Sequence, residues 1–461
     1  MRETDGGAGS TDALARIMQS ARTKWAATPA AGQSVAVTSV SRDAFAHMMH
    51  AAASANRPPP TTAAAASRRT GGGPGGGRGG RLVVARSVRG GGGGGGGGGR
   101  SWGGSSRPLA RYKTIEGTNI VVDGFTSTPE PGRTYFLTHF HSDHYVGLTK
   151  QWSSPIYCSE ITATLVARQI RIAPALLRPL PMDRPVDLPS GVRVTLIDAN
   201  HCPGAVLLLF ELPGGTRRTV LHTGDFRYDS AMAAHPAIRS LPLRDRQIDL
   251  LYLDTTYCEP RYSFPPQREV LDGVLEACRL LLDSPRTLVL FGAYSIGKER
   301  VYLHVARSLG VRLFVDAGKR RVLDCLRLPP EDCAALTGDA ADTRWRVVPM
   351  PTLRLDRLRA TLQQSGGRYD SLVAFRPTGW SYGRGKPRRH GAVTIHEVAY
   401  SEHSSFEELR ACVRELLPAA GARIIPTVNC GRAEKVRAML ALLLDSAPAA
   451  RSGSGSGSGS G

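Results

Sequence analysis

The hexapeptide His-Phe-His-Ser-Asp-His at residues 139–144 follows the apolar run Tyr135-Phe136-Leu137 and packs three imidazoles and a carboxylate into six positions. Residues two apart share a face in extended chain, so His139 and His141 point the same way, while Asp143 and His144 fall on the turn that follows. Imidazole and carboxylate suit a borderline cation such as zinc, and this many donors can serve more than one ion. A fold that uses them must end a strand at a cavity and bring further donors to it. Three stand at the ends of other apolar runs: His201 after 192–199, Asp225 after 218–222 and His403 after 393–400. One plan accommodates all of them, in which loops at one edge of stacked sheets converge on a dinuclear site.

The rest of the chain supports sheets. Strand-like runs at 119–125, 134–140, 192–200, 205–212, 218–226, 248–254 and 287–297 are interleaved with helical patterns at 160–170, 267–284, 297–310, 404–418 and 432–447. The mixture predicts an α/β fold. The stretch Ser404-Ser405-Phe406-Glu407-Glu408, with serine three residues before glutamate, has the spacing of a capping box, which puts His403 at the amino end of a helix. Residues 255–385 read as a separate module.

Not all of the chain carries that pattern. Residues 1–107 are rich in Gly, Ala and Arg and include ten successive glycines from Gly90 to Gly99, a composition that cannot bury enough apolar surface to offset its ordering entropy. A disordered tail is expected there, and a flexible Ser-Gly tail over 448–461. The formal net charge is +20, half of it within residues 1–110, which favours a polyanionic partner, most simply nucleic acid. The eight cysteines form no CxxC pair, so neither a disulfide framework nor a zinc ribbon is indicated. No secretory signal or membrane-length apolar run is seen; a monomer in a reducing compartment, cytosol or nucleus, is expected.

The stretches YFLTHFHSDHYVGL (135–148), PIYCSEITA (155–163), DANHCPGAV (198–206), HTGDFRY (222–228), LDTTYC (253–258), YSIGKERV (294–301), YSEHSSFEEL (400–409) and IIPTVN (424–429) together resemble the metallo-β-lactamase fold hydrolases. Within them the likeness is to the DNA cross-link repair nucleases that carry a β-CASP insertion, the relatives of Artemis and Apollo, over about residues 118–440. The resemblance implies a four-layer αββα fold in two halves, 108–253 and 386–447, with a β-CASP module inserted at 254–385. It implies that His139, His141 and His201 hold one zinc ion with Asp225 bridging. Asp143, His144 and His403 then line a second site, weakly occupied or taking Mg2+ or Mn2+. Asp123 supports the ligand histidines from behind, and Asp254 orients a ligand such as His144. Asp143, His144, His403 and Asp254 form the catalytic set.

Val428 occupies a position where RNA-cutting relatives carry histidine, so the resemblance implies DNA as substrate. The function implied is a zinc-dependent 5′→3′ exonuclease acting in the nucleus on single-stranded or damaged DNA ends, in cross-link and double-strand-break repair. The tail would be open to other repair proteins. An RNA-processing endonuclease and a non-catalytic DNA-binding scaffold are the alternatives, opposed by Val428 and by the complete ligand set; the basic charge opposes a small-molecule hydrolase.

A 5′ exonuclease must also seize a terminal phosphate. Lys298, preceded by Ser295 and Gly297 at the start of a helix, offers a cation beside free backbone N–H groups. Ser404 and Ser405, at another helix start, are a second candidate contact, with ordinary capping as the alternative. The basic stretch 385–391 and Arg68, Arg69, Arg78, Arg81 and Arg86 could add backbone contacts or be a solvated tail.

Overall fold

The computed structural model describes residues 109–444, apart from 127, 215–217, 245, 380–386 and 418–421. The expected tails, the five tail arginines and the start of the 385–391 stretch lie outside the described residues. The described strands form three sheets. In the first, β1 (Ile120–Val122), β2 (Thr134–Phe136), β3 (Ile156–Ser159) and β4 (Leu177–Leu180) run parallel in that order. The helix α1 (Glu160–Leu165) continues directly from β3, and its predicted extension to 170 becomes a single π-helical turn that Arg171 ends in the left-handed region, at φ 66°.

The second sheet begins with β5 (Val186–Asp187), β6 (Arg193–Asp198), β7 (Val206–Glu211) and β8 (Thr219–His222), each antiparallel to the one before. It continues with β9 (Leu250–Leu253), parallel to β8. Alternation then decides the layers. Ile120, Val122, Phe136, Val194, Leu196, Val206, Leu208, Phe210, Val220, Leu250 and Tyr252 make one apolar core between the two sheets. Their neighbours Val121, Tyr135, Leu137, Leu207, Leu209, Leu221, Leu251 and Leu253 join a second core on the outer faces. Because both faces of β7, β8 and β9 are buried, these strands read as unbroken apolar runs rather than alternating ones. Phe136 and Phe210 meet edge-on between the sheets with centroids 5.0 Å apart, and truncating either to alanine would cost roughly 3–5 kcal/mol.

After β9 the chain leaves for the third sheet. Helices α2 (Gln267–Arg279) and α3 (Glu299–Leu309) flank β10 (Thr287–Ala293). Next come β11 (Leu313–Phe314), β12 (Leu336–Thr337), β13 (Trp345–Pro349), α4 (Leu355–Gln364), β14 (Ser371–Pro377), β15 (Arg388–His390) and β16 (Val393–Val398). The sheet order is β12-β11-β13-β10-β14-β16-β15, parallel except for β15. Leu288, Leu290, Leu372, Ala374, Val393 and Ile395 pack one face with Leu358 of α4. The opposite face, with Val289, Phe291, Val373 and Phe375, joins the core that contains Val274 and Val301 of α2 and α3.

That pairing moves one expected boundary. Residues 388–398 do not resume the first two sheets, because β16 lies parallel to β14 with Leu372–Pro377 opposite Val393–Val398, and its apolar residues complete the third sheet's core. The return comes later, through α5 (Phe406–Leu416), whose buried face of Phe406, Leu409, Cys412, Val413 and Leu416 joins the large core. The last strand, β17 (Arg423–Pro426), adds to the second sheet parallel to β9, and α6 (Ala433–Leu444) follows. The αββα layering with an inserted α/β module is thus present. No helix among the described residues is long and apolar enough to cross a membrane, and all eight cysteines are free.

Candidate metal centre

Each functional side chain sits just beyond the carboxyl end of a strand, the edge at which open α/β sheets offer their side chains to ligands. Asp123 follows β1, His139 and His141 follow β2, His201 follows β6, Asp225 follows β8, Asp254 follows β9 and His403 follows β16. They arrive together. Asp225 Oδ2 lies 3.1 Å from His144 Nε2, 3.8 Å from His139 Nε2, 3.9 Å from His201 Nε2 and 4.0 Å from His403 Nε2. His141 Nδ1 lies 2.9 Å from His139 Nε2 and 3.0 Å from His201 Nε2.

What stands behind each ring fixes its tautomer. Ile296 and Glu402 present carbonyl oxygens, which only accept, so His141 donates its Nε2–H over 3.1 Å and His201 its Nδ1–H over 2.8 Å. The Thr138 hydroxyl donates to Asp123 Oδ2 over 2.7 Å and so accepts the His139 Nδ1–H over 3.0 Å. Three lone pairs, on His139 Nε2, His141 Nδ1 and His201 Nε2, then face one another with no proton between them. Bonds of 2.0–2.1 Å to a tetrahedral zinc would space such nitrogens roughly 3.3–3.4 Å apart, so the donor set fits a divalent ion with slight expansion.

His144 and His403 are oriented by carboxylates instead. His144 Nδ1 donates to Asp123 Oδ2 over 2.7 Å and His403 Nδ1 to Asp254 Oδ2 over 2.8 Å, leaving both Nε2 atoms towards Asp225. Asp254 therefore orients His403, where the sequence pointed to a ligand such as His144. It is itself braced by the Thr256 hydroxyl, 2.6 Å away, and the Thr256 N–H.

The electrostatics divide along the same line. Burial, then the neighbouring rings, push His139 and His201 well below the ordinary histidine range, and burial lowers His141 as well. Burial also works against a proton on His144, but Asp225 and Asp123 outweigh it and pull this pKa well up. For His403, Asp254 and Asp225 overcome burial and raise the pKa to about 9.

The other sequence candidates are placed less centrally. Asp143 keeps its carboxylate 61% exposed, 3.7 Å from His144 Nε2 and outside the groups of mutually close donors. The Lys298 ammonium is buried on Glu402, Nζ to Oε2 2.8 Å, and the Lys298 N–H donates to Glu402 Oε1 over 2.9 Å. A carboxylate thus already holds the cation and N–H that were expected to meet a phosphate. Ser405 caps α5 through the predicted box, accepting the Glu408 N–H over 3.2 Å while its own N–H donates to Glu408 over 2.7 Å. Ser404 is buried, accepting the Tyr228 N–H and donating to the Phe226 carbonyl. Of these four only Ser295 is exposed. Val428, half-buried just past β17, accepts the Thr255 hydroxyl on its carbonyl.

Sequence reasoning did not single out Thr138, Glu402 or Cys202. Cys202 Sγ and the nitrogens of His139, His141 and His201 all lie within 4.8 Å of one another, and burial drives its thiol pKa well up. Direct adjacency to His139, His403 and His201 was the one signal available for these residues.

Comparison with known proteins agrees with this geometry. Residues 330–432 match the family described as DNA repair metallo-beta-lactamase. The chain is 45% identical over 341 residues to the Arabidopsis thaliana DNA cross-link repair protein SNM1, covering 71% of this chain and 68% of that one. It is 43% identical to the Homo sapiens DNA cross-link repair 1A protein over 71% of this chain but only 31% of the relative. It is 37% identical to the Gallus gallus 5′ exonuclease Apollo over 68% of this chain and 63% of the relative. The chain therefore spans about two thirds of the plant relative and under a third of the human one. By that identity and coverage, the chain belongs to the metallo-β-lactamase, β-CASP family of DNA cross-link repair proteins.

Proposed function

We propose that this chain is a zinc-dependent DNA nuclease, a 5′→3′ exonuclease acting on single-stranded or damaged ends in interstrand cross-link and double-strand-break repair in the nucleus. The observation that carries the reading is the ring of imidazole nitrogens within 4.0 Å of one oxygen, Asp225 Oδ2. His139, His141 and His201 with Asp225 would hold a first ion, and His144 and His403 with Asp225 would hold a second, zinc, Mg2+ or Mn2+. An ion so held supplies a nucleophile at neutral pH and offsets charge developing on the phosphoryl oxygen. Asp143, exposed at the mouth of the site, accepts a proton there. Asp123 holds His144 directly and His139 through Thr138, and Asp254 holds His403.

The first two sheets with α5, β17 and α6 form the hydrolase body, and the third sheet with its helices, ending at Val398, is the inserted nucleic-acid module. Relatives named for cross-link repair and for 5′ exonuclease action favour DNA, as does Val428. Ser295 is the accessible candidate for contact with the terminal phosphate.

The test uses the full chain with matched single-stranded DNA and RNA, each 3′-labelled and carrying a 5′-phosphate or a 5′-hydroxyl, with and without chelator. Chelator-sensitive shortening of 5′-phosphorylated DNA is expected. Internal cutting of RNA would move the substrate to RNA, and activity untouched by exhaustive chelation would remove the metal from the mechanism.

A further inference from the structure

We infer that Glu402 is a positioning residue of the metal centre, aligning two of its histidines at once. Its backbone carbonyl receives the His201 Nδ1–H at 2.8 Å. Its side chain grips the Ile296–Lys298 turn through the Lys298 N–H and Nζ, at 2.9 and 2.8 Å. That turn in turn presents the Ile296 carbonyl to His141 Nε2 at 3.1 Å.

The turn is built tightly around this contact. Gly297 has φ 95°, and a Cβ there would stand 3.0 Å from Glu402 Oε2 and 3.5 Å from His141 Nε2. Lys298 follows at φ 72°, in the left-handed region that a side-chain-bearing residue rarely adopts. Such backbone persists where the surroundings over-determine it, and here the double grip of one carboxylate does so. Tyr400 adds its ring, 5.3 Å from the ammonium.

Burial argues for the same role. The two side chains are 7% and 6% exposed, and a buried ion pair can often be exchanged for apolar residues without loss of stability, so global stability alone is a weak reason for it. Its position gives a stronger one. Glu402 and Ile296 lie just beyond β16 and β10, two strands of the third sheet that both flank β14 and point their carboxyl ends at the centre. Lys298–Glu402 locks those two ends together, and with them the orientation of His141 and His201. Groups that orient metal-binding histidines from behind typically govern metal affinity by about 10–100-fold.

The inference rests on the metal reading proposed above, and its test separates the two. Zinc affinity is measured by competition with a fluorescent chelator, and the cobalt(II)-loaded protein's visible spectrum is recorded, for wild type, Lys298→Met/Glu402→Met and Glu402→Gln. The double variant removes both charges and is expected to retain the fold, as far-UV circular dichroism and cooperative melting will report. It is expected to bind zinc about 10–100-fold more weakly with an altered cobalt spectrum. Glu402→Gln, which keeps one acceptor for the turn, is expected to fall between, and supplies the result if the double variant does not fold. Folded variants with wild-type affinity and spectrum would overturn the positioning role. A wild type that binds neither metal would instead overturn the metal reading on which it rests.

Discussion

The two halves of the centre use the same residue type to opposite ends. His139, His141 and His201 rest on neutral partners, a threonine hydroxyl and two backbone carbonyls, and are held neutral by burial. His144 and His403 rest on carboxylates and face another, so their pKa values rise. A cation entering the first group meets lone pairs; one entering the second must displace protons. If both groups take ions, the groups behind the rings would make the second the weaker site, because its ion must compete with protons.

The harshest test of this comparison is the residue common to both halves. Asp225→Ala should abolish chelator-sensitive cleavage, a fall of at least about a thousandfold if the ion supplies several kcal/mol of transition-state stabilisation. DNA binding should stay largely intact in a gel-shift assay, and cleavage at wild-type rate would remove Asp225 from the centre. His139→Ala should do the same from the first half alone.

Next in size are the carboxylates behind the second half. Asp254→Asn should weaken binding of the second ion by roughly 10–100-fold while the first titrates as in wild type, as calorimetry would resolve, whereas Asp123→Asn, which also disturbs Thr138 behind His139, should weaken both. Loss of the tighter ion in the Asp254 variant would break the division drawn here.

Smaller effects come from pH in the chelated protein. The lowered histidines of the first group leave stability untouched above about pH 6.5 and erode it as pH falls, because the unfolded chain then binds protons that the folded site refuses. His403 acts with the opposite sign: its raised pKa contributes stability that is fully present below about pH 6.5 and is lost as pH climbs through about 9. Melting temperature should therefore peak near neutrality and drop by a few degrees towards pH 9, with Asp254→Asn removing the His403 share of the alkaline arm and leaving that of His144 and the acid arm as they are. An unchanged alkaline arm in that variant would contradict the assignment. The smallest expected effect is that of Ser405→Ala, which uncaps the helix behind His403. It should cost about 1 kcal/mol of stability and leave preference for a 5′-phosphate unchanged, whereas a lost preference would make the serine a ligand contact.

The sequence made the centre readable where side chains carry the signal. Three histidines in six residues after an apolar run, and single donors at the ends of other runs, identify most of the converging groups without coordinates. Support through a backbone carbonyl leaves no such mark, so Ile296 and the carbonyl of Glu402 were invisible. The partner of Lys298 was hidden for a related reason: a lysine after glycine at a helix start looks alike whether it faces a phosphate or, as here, a carboxylate 104 residues away. The double-buried β7, β8, β9 and β10 were plain as apolar runs. By contrast β4, whose middle residues Arg178 and Pro179 are exposed, and the two-residue β11 and β12 are too short or too polar to stand out. β15 consists of Arg388, Arg389 and His390 on a sheet edge, a pattern indistinguishable from a basic loop.

The supports at Ile296 and Glu402 stand 155 and 201 residues from the histidines they align. Closure of such long loops comes late, because their entropy must be overcome before the contacts form. A chain emerging from the ribosome has made His141 and His201 long before the carbonyls that set their tautomers exist. Tight capture of an ion at this centre would therefore be a late event of folding, timed by the arrival of residue 402.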